Sequence, residues 1–390
     1  MSSTTVPEQK HHRSVMIVAG EASGDMHGAN LVREMKALDS SLSFFGVGGK
    51  RLEAQGVRLV ARSSDMAVVG ITEVFTKIRF ILGVFFQLRK MLREEKPKLL
   101  ILIDYPDFNL RLASAAKKAG VRVFYYISPQ VWAWRTGRVR KIRRVVDKMA
   151  VILPFEKAFY AKYDYPVEFV GHPLLDVVKR TRSREQALTD FGLHDGYPIV
   201  ALLPGSREKE VKNLLPEMLG AAVLLKAKYS EAQFILPQAD TIDRGIIHQV
   251  LQAYPVSVTL VSGQVHDAVG LADVALVASG TATLETALLE IPMIIIYRIS
   301  PLTAAIGKRL IRLEHIGLVN IIAGKTLAPE LIQENASASR IADETDKILS
   351  DRIHGDEIRK GLAEIRKKLG APGASGQAAL LAAGLIKAGT

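Results

Sequence analysis

Four short stretches put residues able to do chemistry at the ends of apolar runs. "VMIVAGEASGDMHG" sets Glu21, Ser23 and Asp25 in a glycine turn between a buried-strand pattern and a helical one. "KLLILIDYPDFN" ends a second apolar run on Asp104, with Pro106 and Asp107 opening the helix behind it. Asp107 suits a helix start, where acids complement the macrodipole. Asp104 has no such local reason; its structural alternative is a carboxylate tied to a loop amide. "ALLPGSREKEV" follows a strand with Gly205, Ser206 and Arg207. "VALVASGTATLE" follows another with Ser279, Gly280 and Thr281, and Glu285 lies one helical turn further on.

Glycine lets a backbone approach an oxyanion, a serine hydroxyl donates to it, and an arginine grips it with two parallel bonds. Glu285 falls on the same helix face as Thr281, where it can accept from a ribose diol. Ordinary βα turns are also rich in Gly and Ser. Two such turns in one half, one with Arg and one with a well-spaced Glu, favour a nucleotide-diphosphate site. Neither is a Walker A loop or a G-x-G-x-x-G fingerprint, which weighs against a dinucleotide-dependent oxidoreductase. Carboxylates at Glu21, Asp25 and Asp104 would repel a diphosphate. They suit the hydroxyls of a sugar acceptor, and any one of them could serve as general base. The first half therefore reads as the acceptor half and the second as the nucleotide half.

The elements that must position these residues alternate strand-like runs with helical segments, the pattern of parallel sheets with crossover helices. "SVMIVAG", "LSFFGVG", "KLLILID", "VRVFYYIS" and "KMAVILP" are the strands of the first half. "PIVALLPG", "AQFILPQ", "VSVTLVSG", "DVALVASG" and "MIIIYRI" are those of the second. The fold class is α/β: two doubly wound, Rossmann-like domains facing a cleft at the carboxyl ends of their strands. The expected divisions are a disordered tail over 1–14, an acceptor-binding domain over 15–172, a nucleotide-binding domain over 173–350 and C-terminal helices over 351–390. The domain boundary falls near Gly171 to Asp176.

The 390 residues are 48% hydrophobic and 24% charged, an ordinary globular balance. With no cysteine, disulfides and thiolate chemistry are excluded. The nine histidines show no metal-ligand spacing, so neither a metal site nor a cofactor is expected. The N-terminus has no signal-peptide core, and no run reaches the length of a membrane span, so a cytoplasmic protein, soluble or peripheral, is expected. A net charge of +12 calls for an anionic partner without choosing among nucleic acid, membrane and phosphorylated substrate. Two segments help to choose. "TKIRFILGVFFQLRKMLR" (Thr76 to Arg93) joins apolar and basic residues and suits a membrane surface or an acyl chain, or else a core helix with basic ends. "WAWRTGRVRKIRRVVDK" suits anionic lipid or nucleic acid, or else a solvated basic helix. Lipid explains the pair best, since RNA would call for more exposed aromatics.

The strings "VAGEASGD", "IDYPDFN", "ISPQVWAWR", "LPFE", "VGHPLLD", "LLPGSR" and "ASGTATLE" occur in an order that resembles the lipid-A-disaccharide synthase family, from about Val15 to about Gln333. One departure is Lys50, Arg51 and Leu52, where the family commonly has Pro, Arg and Met. The resemblance implies a GT-B fold whose last helix returns to the N-terminal domain. It also implies an inverting, metal-independent transfer from UDP-2,3-diacylglucosamine to 2,3-diacylglucosamine 1-phosphate. The products are a β-1′,6-linked disaccharide and UDP, made on the cytoplasmic face of the inner membrane with the enzyme bound peripherally. By motif it makes Asp104 the catalytic carboxylate, with Glu21 as rival base, and Arg207 a phosphate ligand. Asn320 and Gln333 in "VNIIAGKTLAPELIQ" are implied to line the nucleotide side, and Glu21, Ser23 and Asp25 to orient the acceptor. The competing classes are a UDP-sugar epimerase of the same architecture and a non-enzymatic basic RNA-binding protein.

Overall fold

The computed structural model describes residues 13–66, 71–298 and 314–388, without the side chains of 22, 71–77 and 134. The expected tail lies outside the described residues except for its last two, which open the first strand. Two compact units divide the chain: Met1–Pro173 with Pro372–Thr390, and Leu174–Ala371.

The first unit holds a seven-stranded sheet in the order β3-β2-β1-β4-β5-β6-β7. Its strands are β1 (Arg13–Ala19), β2 (Leu42–Gly48), β3 (Arg58–Arg62), β4 (Leu99–Ile103), β5 (Arg122–Tyr126), β6 (Lys148–Val151) and β7 (Glu168–Phe169). All pairings are parallel. Val15–Ala19 and Leu99–Ile103 are wholly buried, as befits central strands with helices on both faces. Strand order reverses between β1 and β4, where Ala19 lies opposite Ile103. The residues that follow, Gly20–Glu21 and Asp104–Tyr105, therefore leave the sheet side by side, at the point where doubly wound sheets take their ligands.

The final helix, Ala374–Lys387, belongs to this unit, packing on the Ala22–Leu38 helix and beside β4 to β6. Ala378, Ala379 and Ala382 are fully buried there, small enough to let the two helices close. The Arg122 guanidinium donates to the carbonyls of Leu385 (2.9 Å) and Ala388 (2.7 Å), satisfying the helix end.

The second unit has six parallel strands in the order β10-β9-β8-β11-β12-β13. They are β8 (Ile199–Leu203), β9 (Gln233–Gln238), β10 (Thr259–Ser262), β11 (Val274–Ala278), β12 (Met293–Tyr297) and β13 (Glu330–Ile332). Here the order reverses between β8 and β11, with Leu203 opposite Val277. The Arg352–Lys368 helix stays with this unit, Leu362 and Ile365 buried and Lys368 Nζ donating to Ile322 O at 3.1 Å. The two C-terminal helices thus part company.

β3, β7 and β13, which the apolar runs do not reveal, are all edge strands. "RLVAR" carries arginine at both ends and is never fully buried; β7 is two residues long. Edge strands are kept short or charged because a long apolar edge invites aggregation.

Candidate functional site

At the β1/β4 switch point the chain makes an unusual corner. Asp104 and Tyr105 both have left-handed backbones, φ +45° and +46°. Two β-carbon residues in that region store strain that the surroundings must hold. Asn109, one turn into the Pro106–Lys118 helix, donates to the carbonyls of Ile103 (3.2 Å) and Asp104 (2.7 Å). The buried Tyr125 hydroxyl donates to the same Asp104 carbonyl. The Tyr105 ring lies against Gly20, only 2.4 Å from where a β-carbon would stand, so nothing but glycine admits the ring. The corner leaves Asp104 within reach of the Glu21 charge. Burial, and then the Glu21 charge, push the Asp104 carboxyl up to about 6. A carboxylate poised there takes up a proton far more readily than an ordinary aspartate, yet stays ionised at neutral pH.

Glu21 is exposed at the start of the Ala22–Leu38 helix, and Ser23 is half-buried in its first turn. Asp25 corrects the expectation placed on it. It is buried, and its carboxylate accepts the backbone N–H groups of Gly49 (2.6 Å), Arg51 (3.1 Å) and Leu52 (3.1 Å). Asp25 thus caps the Lys50–Ala54 helix from a distance, a structural task that the sequence did not suggest. Asp107 does more than meet a macrodipole: it pairs with Arg138 and, at 3.5 Å, with Arg135 of the basic segment. Glu156 of "LPFE" is a second displaced carboxyl. It is wholly buried, pushed up to about 7 by desolvation, and accepts the Leu153 N–H at 3.0 Å beside Ser128 and Trp132. His172 is also buried; burial and then neighbouring His27 press it down to about 3, so it is neutral.

The β8/β11 switch point of the second unit brings its two turns together. Gly205 has φ +113°, and Ser206 and Arg207 are exposed at the start of the Glu208–Lys228 helix. Ser279 gives its N–H to Ile296 O (3.0 Å), which prolongs the sheet. Gly280 and Thr281 then open the Thr281–Leu288 helix, where no preceding turn supplies carbonyls for their N–H groups. Glu285 sits one turn along, 3.7 Å from His266 Nε2. Gln333 is buried with φ +55° just beyond β13, on the same carboxyl rim but two strands from β11.

Asn320 is the second correction. It is fully buried; its amide nitrogen donates to Ala328 O (2.7 Å) and Glu330 Oε1 (2.8 Å). Its oxygen accepts from Leu327 N (2.8 Å) and Ala328 N (2.9 Å). With every side-chain hydrogen-bonding position used, the Asn320 amide staples a loop and has nothing left for a nucleotide. Among the described residues no group of three or more His, Cys, Asp or Glu is placed to hold a metal, and no helix is long and apolar enough to cross a membrane.

A family model described as lipid-A-disaccharide synthetase matches residues 15–383. The chain belongs to that family. Relatives named lipid-A-disaccharide synthase include that of Syntrophus aciditrophicus, 54% identical over 96% of this chain and 98% of its own. That of Geobacter sulfurreducens is 52% identical over 94% and 96%. Among solved structures, the UDP-GlcNAc 2-epimerase from Neisseria meningitidis bound to UDP-GlcNAc superposes with TM-score 0.62 at 13% identity, covering 96% of this chain and 100% of that one. MurG of Acinetobacter baumannii gives 0.58 at 12%, covering 95% and 99%. At such identities these likenesses establish the fold alone, and it is the GT-B fold expected. Family membership makes the chain a hexosyltransferase of lipid A biosynthesis, a glycosyltransferase that forms the lipid A disaccharide. The nucleotide-sugar substrate goes with that activity.

Proposed function

We propose that Asp104 is the general base that takes the proton from the 6-hydroxyl of 2,3-diacylglucosamine 1-phosphate as it attacks the anomeric carbon of UDP-2,3-diacylglucosamine. The observation that carries this reading is the raised carboxyl of Asp104 beside Glu21, on a strained corner at the first switch point. Glu21 holds that proton affinity up and accepts from acceptor hydroxyls, with Ser23 close by. UDP gathers negative charge as it leaves. Arg207, the Ser206 N–H and the open start of the Thr281–Leu288 helix meet that charge on the second unit, and Glu285 receives the ribose. These groups supply the stabilisation that a metal ion would otherwise give, so turnover should survive chelation.

Both substrates carry acyl chains, and one helix of the first unit suits them. In the Ile71–Glu94 helix, Val84, Leu88 and Leu92 are buried while Ile78, Leu82 and Phe86 form an exposed row four residues apart. Arg79, Lys90 and Arg93 flank it, and the Val139–Val145 helix of the same unit exposes a further basic group, Arg140, Lys141, Arg143 and Arg144. An apolar row rimmed by basic groups fits the cytoplasmic surface of an anionic inner membrane.

The deciding experiment follows UDP release from UDP-2,3-diacylglucosamine with and without the acceptor, in EDTA. Release only with acceptor, undiminished by chelation and lost in Asp104→Asn, supports the proposal. Release without acceptor would mean a hydrolase or an epimerase-like site instead.

A further inference from the structure

Where the leaving diphosphate is expected, the chain has placed one of its own carboxylates. Glu210 lies in the first turn of the Glu208–Lys228 helix and folds back over the turn that follows β8. Its Oε2 accepts the Ser206 N–H at 3.2 Å, and its Oε1 takes Arg207 Nη1 at 2.9 Å. Oε2 stands 2.4 Å from where a β-carbon on Gly205 would be, so the glycine is what lets the carboxylate in. Tyr297, at the end of β12, feels the same pair: burial and then the Glu210 charge push its hydroxyl up, and Arg207 opposes them. The glycine, the amide and the guanidinium that would grip a phosphate are already gripping an anion.

We propose that Glu210 is an internal stand-in for the diphosphate of UDP, holding the Gly205–Arg207 turn in its binding shape and leaving when the nucleotide arrives. This rests on the reading of the second unit as the UDP site and deepens it. A carboxylate matches the forked donor geometry that also serves phosphate, with less charge. The two anions cannot share one N–H and one guanidinium. Nucleotide binding is therefore an exchange of anions, and the displaced carboxylate swings outward from a half-exposed helix surface. The exchange works in both directions. It keeps the empty turn ordered, which lowers the cost of binding. It also gives the product a competitor built into the site, which speeds the departure of UDP after transfer.

The test is titration calorimetry of the whole chain with UDP and with uridine, for the wild type, Glu210→Gln and Arg207→Ala. Glutamine keeps the shape and removes the charge. An ion pair about 4 Å apart in solvent-exposed surroundings is worth roughly fivefold, and UDP no longer has to displace one from Arg207, so Glu210→Gln should bind UDP about five- to tenfold more tightly. Its uridine affinity should not change, because uridine carries no phosphate. Stopped-flow release of UDP should slow by a similar factor. Equal or weaker UDP binding by Glu210→Gln, with uridine unchanged, would overturn the proposal and make Glu210 a positioning residue for Arg207. A wild-type chain that binds no UDP would sink the nucleotide reading itself, and the stand-in with it, before any variant is compared.

Discussion

A half-buried aspartate beside a glutamate is a poor way to stabilise a fold. The folded value for Asp104, about 6, lies above its ordinary 3.8. The unfolded chain therefore ionises more readily, and stability is lost as pH rises from about 4 through 6. Asp104→Asn should remove that loss, gaining on the order of 2–3 kcal/mol at pH 8 with the gain closing toward pH 4. Thermal melts at the two pH values read it. The same variant should lose about 10²–10⁴ in turnover. In the wild type, kcat/KM should fall on the acid side with a midpoint near 6, and Glu21→Gln should move that midpoint lower; an unmoved limb would separate the two carboxyls. The place of Asp104 was legible because an unbroken apolar run ends on it. Asp25 and Asn320 were not: the amides that claim Asp25 lie at 49–52, remote in sequence, and those that claim Asn320, at 327–328, lie across a loop whose closure the string does not announce. Asn320→Ala should cost about 2–3 kcal/mol by orphaning buried donors and acceptors, with a lowered melting temperature and no loss confined to UDP affinity.

At the scale of elements, the central strands could be read directly, since burial on both faces leaves an unbroken apolar run. β3, β7 and β13 could not, because edges are selected to look unlike strands. The corner after β4 was only half legible: "IDYPDFN" contains Asn109, but nothing in the string says that its amide pins two carbonyls. Tyr125 was hidden inside a run that reads simply as strand. The Ile71–Glu94 helix left two readings open, core or surface, and its described side chains serve both, one stripe buried and another exposed. Leu82→Ser with Phe86→Ser should therefore reduce binding to anionic phospholipid vesicles severalfold while leaving the melting temperature within about 1 °C, because exposed positions contribute little to folding. A large drop in stability would show the row to be part of the core.

As a whole molecule, the chain uses one plan twice: a parallel sheet whose strand order reverses, with candidate residues such as Asp104, Arg207 and Thr281 in the turns where it does. That much follows from apolar runs and the residues that end them. The ownership of the C-terminal helices does not, since both carry amphipathic or small-residue patterns that any helix-covered sheet would accept. A chain ending at Pro372 should lose amide-exchange protection in β4, β5 and β6 while β8 and β11 keep theirs. Retained protection in the first unit would mean that the final helix is dispensable. The return of that helix also sets an order in time. During translation the second unit, continuous from Leu174 to Ala371, is complete before the first receives its closing piece. N-terminal domains usually finish folding first; here the N-terminal one cannot be completed until the final helix has been made. A message cut short would leave the buried face of the Ala22–Leu38 helix uncovered, a tag by which proteases can tell an unfinished molecule from a finished one.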